Sequence, residues 1–244
     1  MKNILMPTDF SENSWNATKY ALQFYKDVKC NFYILHVTLI PTYVGGETPM
    51  YPSSNVLETT ILKQAKIELK KLTTKINELY PNSNHNFFSV SNYDFFIDSV
   101  KTQIEEKKID LIIMGTKGAT GFNEVVIGTN TGDLITKVKC PVLIIPEEAS
   151  FKPPKEIAFP TDFNRFYNHI ELNPLKNLAS LFNSKIRIVH IKKEDQLNDI
   201  QEYNMVTLKN YLDEFNISFH WIPDYTKKVQ EINNFIEELQ IDLL

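Results

Sequence analysis

The opening of this 244-residue chain returns later in the same chain, and that repeat constrains the fold more than any other feature. Asn3-Ile-Leu-Met-Pro7-Thr8-Asp9-Phe10 reappears as Glu156-Ile-Ala-Phe-Pro160-Thr161-Asp162-Phe163. Tyr33-Ile-Leu-His36-Val37 returns as Arg187-Ile-Val-His190-Ile191, and Lys108-Ile-Asp-Leu-Ile112 as Gln240-Ile-Asp-Leu-Leu244. From aspartate to the following histidine the step is 36 − 9 = 27 residues in the first copy and 190 − 162 = 28 in the second. Three matches in one order at near-equal spacing predict a single folding unit used twice. The stretch 147–155, with Pro153-Pro154, breaks the periodic pattern and suits a connection. The expected organisation is a first domain over 1–147, a linker over 148–155 and a second domain over 156–244.

Within the first copy, strand-like and helix-like patterns alternate. Apolar runs at 4–6, 31–37, 87–90, 109–114 and 142–145 read as strands, and 109–114 has the near-continuous apolar character of a parallel strand covered on both faces. Ser11 is placed to cap a helix whose inner positions are Ala17, Ala21 and Phe24. Ile61, Ala65, Leu69, Leu72, Ile76 and Leu79 make one stripe on a long helix ending before Pro81. Phe96, Val100 and Ile104 give the next helix its inner face, and 130–138 forms a last one. The segment 39–55, with Pro41, Gly45, Gly46, Pro49 and Pro52, reads as an unusually long loop. The alternation predicts an α/β fold of two doubly wound parallel sheets joined by right-handed crossovers. In the second copy the chain as given stops at Leu244, inside the counterpart of the 109–114 strand, so that copy lacks the last strand and helix. Pro141 and Pro146 bracket the last strand of the first copy, which places Val142–Ile145 at a sheet edge and makes it the expected surface for pairing between subunits.

Where the 109–114 strand ends, a glycine-rich stretch begins: Gly115-Thr-Lys117-Gly118-Ala-Thr-Gly121, then Gly128-Thr129-Asn130-Thr131 opening a helix. Gly115 and Gly118 permit unusual φ values and let backbone N–H groups approach an anion. Gly128 does the same at a helix start, where free N–H groups and the dipole favour phosphate. Thr129, Asn130 and Thr131 add side-chain donors, whereas Lys117 and Gly121 read more simply as turn residues. With strand order 3-2-1-4-5, the switch point falls between the 4–6 and 109–114 strands. Pro7, Thr8 and Asp9 then lie opposite Gly115, with Val37 beside them. Plain structural roles compete for the same residues: glycines as turn punctuation, Asp9 and Thr129 as helix caps. The second copy keeps Pro160-Thr161-Asp162 and His190-Ile191 but none of the glycines.

The spacing is neither GxGxxG nor a Walker A loop. Gly115-x2-Gly118-x9-Gly128-Thr129, with Pro-Thr-Asp after the first strand and Leu-His-Val ending the second, resembles the universal stress protein family, here in a tandem two-domain form over nearly the whole chain. The resemblance implies an adenine nucleotide alpha hydrolase-like fold that binds ATP in the first domain. It implies adenine and ribose near Pro7, Thr8, Asp9 and the backbone of Val37. The triphosphate would lie against Met114, Gly115, Gly118, Gly128, Thr129, Asn130 and Thr131, with Asp9 a possible contact for a nucleotide-borne Mg²⁺. It also implies a homodimer formed through the last strands.

Other classes are disfavoured by what the chain lacks. A net charge of −4 argues against a nucleic-acid surface. No apolar run approaches the roughly 20 residues of a membrane span or the pattern of a signal peptide, which sets the expectation of a cytoplasmic protein. Cys30 and Cys140 lack a CxxC partner and read as small buried hydrophobes. His36, His85, His169, His190 and His220 show no metal-ligand spacing, and no catalytic nucleophile–base pair stands out. Trp15 and Trp221 are expected in the core. The expected function is nucleotide-binding regulation with little or no hydrolysis. The alternatives are a non-binding interaction module of the same fold and a slow ATPase.

Overall fold

Side-chain alternation along the first strands decides which way the sheet faces. In the computed structural model, which describes residues 1–38, 54–116, 128–192, 196–223 and 228–244, the chain divides into two units, Met1–Phe151 and Lys152–Leu244. The first unit runs β1 (Lys2–Pro7), α1 (Glu12–Phe24), β2 (Cys30–Thr38), α2 (Ser54–Leu79), β3 (His85–Tyr93), α3 (Phe96–Lys107), β4 (Leu111–Gly115), α4 (Thr129–Lys137) and β5 (Val142–Ile145). All pairings in its sheet are parallel, in the order β3-β2-β1-β4-β5. Ile4 pairs with Phe32 and Met6 with Ile34, and all four are buried. Leu5 and Leu35 point to the opposite face, where they join Val100, Ile109, Ile112 and Leu134 in a second buried cluster. Both faces of the sheet are therefore covered, as parallel strands require.

The local sequence explains the element ends. Ser11 accepts the Ser14 N–H as the N-cap of α1, and Ala17, Ala21 and Phe24 are buried. Lys108 takes the left-handed conformation, φ 51°, that ends α3. Three expectations need correction. Ser54 and Asn55 belong to α2 rather than to the loop before it; the rest of that loop, 39–53, lies outside the described residues. Leu79 sits on the predicted apolar stripe of α2 yet is 59% exposed. A 26-residue helix is about 39 Å long, more than a nine-residue strand can cover, so its end overhangs the sheet. Trp221 is 41% exposed instead of core; it lies on Ile217–Pro223, the edge strand of the second unit's sheet.

The second unit comprises β6 (Glu156–Pro160), α5 (His169–Phe182), β7 (Lys185–Lys192), α6 (Asp199–Tyr211), β8 (Ile217–Pro223) and α7 (Lys228–Glu238). Its smaller sheet has three parallel strands in the order β6-β7-β8. A single parallel bridge, Ile157 to Leu243, stands where a fourth strand would begin. It repeats in detail what anchors β4 in the first unit. Asp110 Oδ2 accepts the Asn3 N–H at 2.7 Å; Asp242 Oδ2 accepts the Glu156 N–H at 3.0 Å. Among the described residues no helix is long and apolar enough to cross a membrane.

Candidate nucleotide site

The turn after β1 is built from its own side chains. The Thr8 N–H donates to the Leu35 carbonyl at 2.8 Å, which continues the ladder one residue past β1. Thr8 Oγ1 accepts the Phe10 N–H at 3.0 Å. Ser14 Oγ donates to the Ser11 carbonyl at 2.9 Å, so the 3.1 Å contact between Thr8 Oγ1 and Ser14 Oγ has the threonine as donor. These bonds hold Phe10 at φ 64°, a left-handed conformation uncommon for a bulky side chain. Asp9 Oδ1 accepts both the N–H and the hydroxyl of Ser11, at 3.0 and 2.5 Å. Burial by itself pushes the Asp9 carboxyl up, but the Ser11 hydroxyl and N–H, helped by Ser14, outweigh it and hold the group below its ordinary value. His36 donates from Nδ1 to the Thr8 carbonyl at 2.8 Å, which leaves Nε2 as the acceptor of the neutral ring. The Phe10 ring lies 4.5 Å from the His36 ring.

Facing this turn are the end of β4 and the start of α4. Gly128 is the N-cap of α4 with φ −61° and no side-chain cap. The first helical bond is from the Gly132 N–H to the Gly128 carbonyl at 2.9 Å, so the N–H groups of Thr129, Asn130 and Thr131 have no partner within the helix. The expectation that Gly115 and Gly128 serve through unusual φ is corrected: neither adopts the left-handed region. Gly115 is needed for space. A Cβ there would lie 2.1 Å from Asn13 Oδ1 and 3.0 Å from the Asn13 carbonyl oxygen, so α1 packs directly on the glycine backbone.

Between these walls is a cavity of about 420 Å³ at the carboxyl ends of β1, β2 and β4. Pro7, Thr8, Asp9, Val37, Met114, Gly115, Gly128, Thr129, Asn130 and Thr131 all line it. Gly118, Lys117 and Gly121 lie outside the described residues. Ser11, Glu12, Asn13, Ser14, Leu35, His36, Phe96 and Glu147 also line the cavity; of these the sequence placed only His36 near the site. The first turns of helices following strand ends open onto the same mouth, and that rule would have found Ser11 to Ser14 and Phe96. Glu147 has no such signal. It reaches the rim because Asn16 Nδ2 donates to the carbonyls of Pro146, Glu147 and Ala149 at 3.3, 3.0 and 2.9 Å. Three carboxylates, those of Asp9, Glu12 and Glu147, therefore line a cavity with no lysine or arginine among its described lining residues. No group of three or more metal-ligating side chains occurs among the described residues.

The second unit repeats the turn. His190 Nδ1 donates to the Thr161 carbonyl at 2.9 Å, and Thr161 Oγ1 accepts the Phe163 N–H at 3.1 Å. Here, however, α6 reaches in. Gln201 Nε2 donates to the Asp162 carbonyl and Asn204 Nδ2 to the Phe163 carbonyl, both at 2.8 Å. Phe163 is 1% exposed where Phe10 is 36%.

A parallel sheet in this order, with a cavity at its switch point and uncapped helix N–H groups on one wall, defines a doubly wound α/β protein. A model of the universal stress protein family matches residues 1–146. The chain belongs to that family. It is 28% identical to a universal stress protein of Methanocaldococcus jannaschii over 160 residues, covering 64% of this chain and 85% of the relative. A universal stress protein from Archaeoglobus fulgidus has the same fold over 98% of this chain and 84% of its own, with TM-score 0.72 at 14% identity. A universal stress protein family structure from Arabidopsis thaliana, solved with AMP bound, covers 61% of this chain and 94% of its own with TM-score 0.41 at 13% identity.

Proposed function

We propose that the first unit binds ATP and that the protein acts as a nucleotide-dependent regulator, with little or no hydrolysis. The observation that carries this reading is the cavity itself. It brings Pro7, Thr8, Asp9 and Val37 together with Gly115 and the open first turn of α4. Its volume, about 420 Å³, falls in the range of small-molecule sites, roughly 300–1,000 Å³. Adenine and ribose fit the Pro7–Asp9 and Val37 side, and phosphates the Gly115 and Gly128–Thr131 side. The second unit keeps the Pro160–Asp162 turn without any of the glycines, so it serves as a scaffold. The protein pairs through the β5 edge as a homodimer. It works in the cytoplasm, a setting in keeping with two unpaired cysteines.

One observation favours a second reading, a non-binding interaction module: three carboxylates line a cavity meant for a polyanion. Mg²⁺ carried in with the nucleotide offsets them under the first reading, with Asp9 as its candidate contact. Calorimetry separates the two. Mg·ATP is expected to bind with micromolar affinity and to lose that affinity in Gly128→Val, whose side chain would obstruct the approach to α4. Absence of heat at millimolar Mg·ATP leaves the interaction module as the function.

A further inference from the structure

We infer that Asn13 is a further ligand-contacting residue of this cavity, its side-chain amide N–H donating to the phosphate end of the nucleotide; the inference rests on the nucleotide reading above. Asn13 is the second residue of α1 and lines the cavity beside Gly115. Its Oδ1 is buried with no hydrogen-bond partner, and lies 2.1 Å from where a Cβ on Gly115 would be. The oxygen end of the carboxamide is thus turned onto the end of β4. The polar group left for the cavity is Nδ2.

The neighbouring polar groups are committed elsewhere. Ser14 Oγ donates to the Ser11 carbonyl, Thr8 Oγ1 is engaged by Phe10 and Ser14, and Asp9 Oδ1 is taken by Ser11. Asn13 is the exception. A phosphate oxygen only accepts, so it takes the N–H of Nδ2, the end of the carboxamide turned away from β4, and leaves Oδ1 where it is. Among described lining residues that carry no lysine or arginine, a phosphate oxygen must be met by neutral N–H donors. Asn13 Nδ2 adds a side-chain donor to the backbone N–H groups of α4, from the opposite wall. Gly115 then serves the ligand indirectly, by leaving room for the carboxamide.

The test compares Mg·ATP with adenosine by calorimetry on the wild-type full chain, Asn13→Ala and Asn13→Asp. Loss of a phosphate donor is expected to weaken Mg·ATP about tenfold in Asn13→Ala. Asn13→Asp is expected to weaken it further, since it adds a fourth carboxylate. Adenosine affinity should stay within twofold in both variants, which also reports an intact cavity. Wild-type Mg·ATP affinity in both variants overturns the inference. An equal loss for ATP and adenosine overturns it too, by making Asn13 a packing residue. If the wild type binds neither ligand, the nucleotide reading itself fails and takes this inference with it.

Discussion

At the scale of single residues, two neighbours decide most of the chemistry, Gly115 and Asp9. The carboxamide of Asn13 occupies the space a Cβ on Gly115 would need. Gly115→Ala should therefore cost roughly 1–3 kcal/mol by overpacking. Most of that cost should vanish in an Asn13→Ala background, a coupling that a double-mutant cycle of denaturant unfolding measures directly. Asp9 has its carboxyl held down by Ser11, so its folded value lies below its unfolded one. The stability it contributes is present above the unfolded value, near 3.9, and is lost as pH falls through the folded value. The advantage of wild type over Asp9→Asn should accordingly be full at pH 6 and shrink toward zero in acid, as unfolding titrations along a pH series will show. Burial pushes the Cys30 and Cys140 thiols up to about 11, so little thiolate exists at neutral pH. Iodoacetamide should leave both unmodified in the native protein and label both in denaturant, as read by mass spectrometry.

At the scale of elements, much was legible because periodicity reports burial. The apolar run of β4, the strand β2 and the Ser11 cap all appear within two residues of where the sequence placed them. Leu79 shows one thing periodicity leaves out: it says which face is apolar and nothing about how far the partner surface extends, and this residue of the predicted stripe is 59% exposed. Capping offers a clean check at this scale. Asn168 and Glu171 form a reciprocal capping box at the start of α5, so Asn168→Ala should destabilise the second unit by about 1 kcal/mol. The β5 edge offers another. If the homodimer forms there, Ile144→Lys should shift the protein to monomer in sedimentation equilibrium; an unchanged mass would remove β5 from the interface.

At the scale of the whole molecule, the candidate site was partly legible because the switch-point rule ties sequence-distant strand ends to one mouth. Pro7, Val37 and Gly115 are far apart in the chain and line one cavity. The rest was not legible, since Asn13 and Glu147 reach it through contacts that no motif encodes: a glycine's missing side chain and the hold of Asn16 on three carbonyls. The two units share one turn, but only the first sets it opposite a glycine-ended strand and an uncapped helix start among the described residues; in the second, Gln201 and Asn204 hold the Asp162 and Phe163 carbonyls. The central claim is thus a claim about location: one nucleotide per chain, in the first unit. Amide chemical-shift mapping during a Mg·ATP titration tests it most directly. Saturable shifts are expected at Thr8, Asp9, Val37, Gly115 and Thr129 to Thr131, with Thr161 to Phe163 unmoved. Shifts centred on Thr161 and His190, or none at saturating nucleotide, would contradict it.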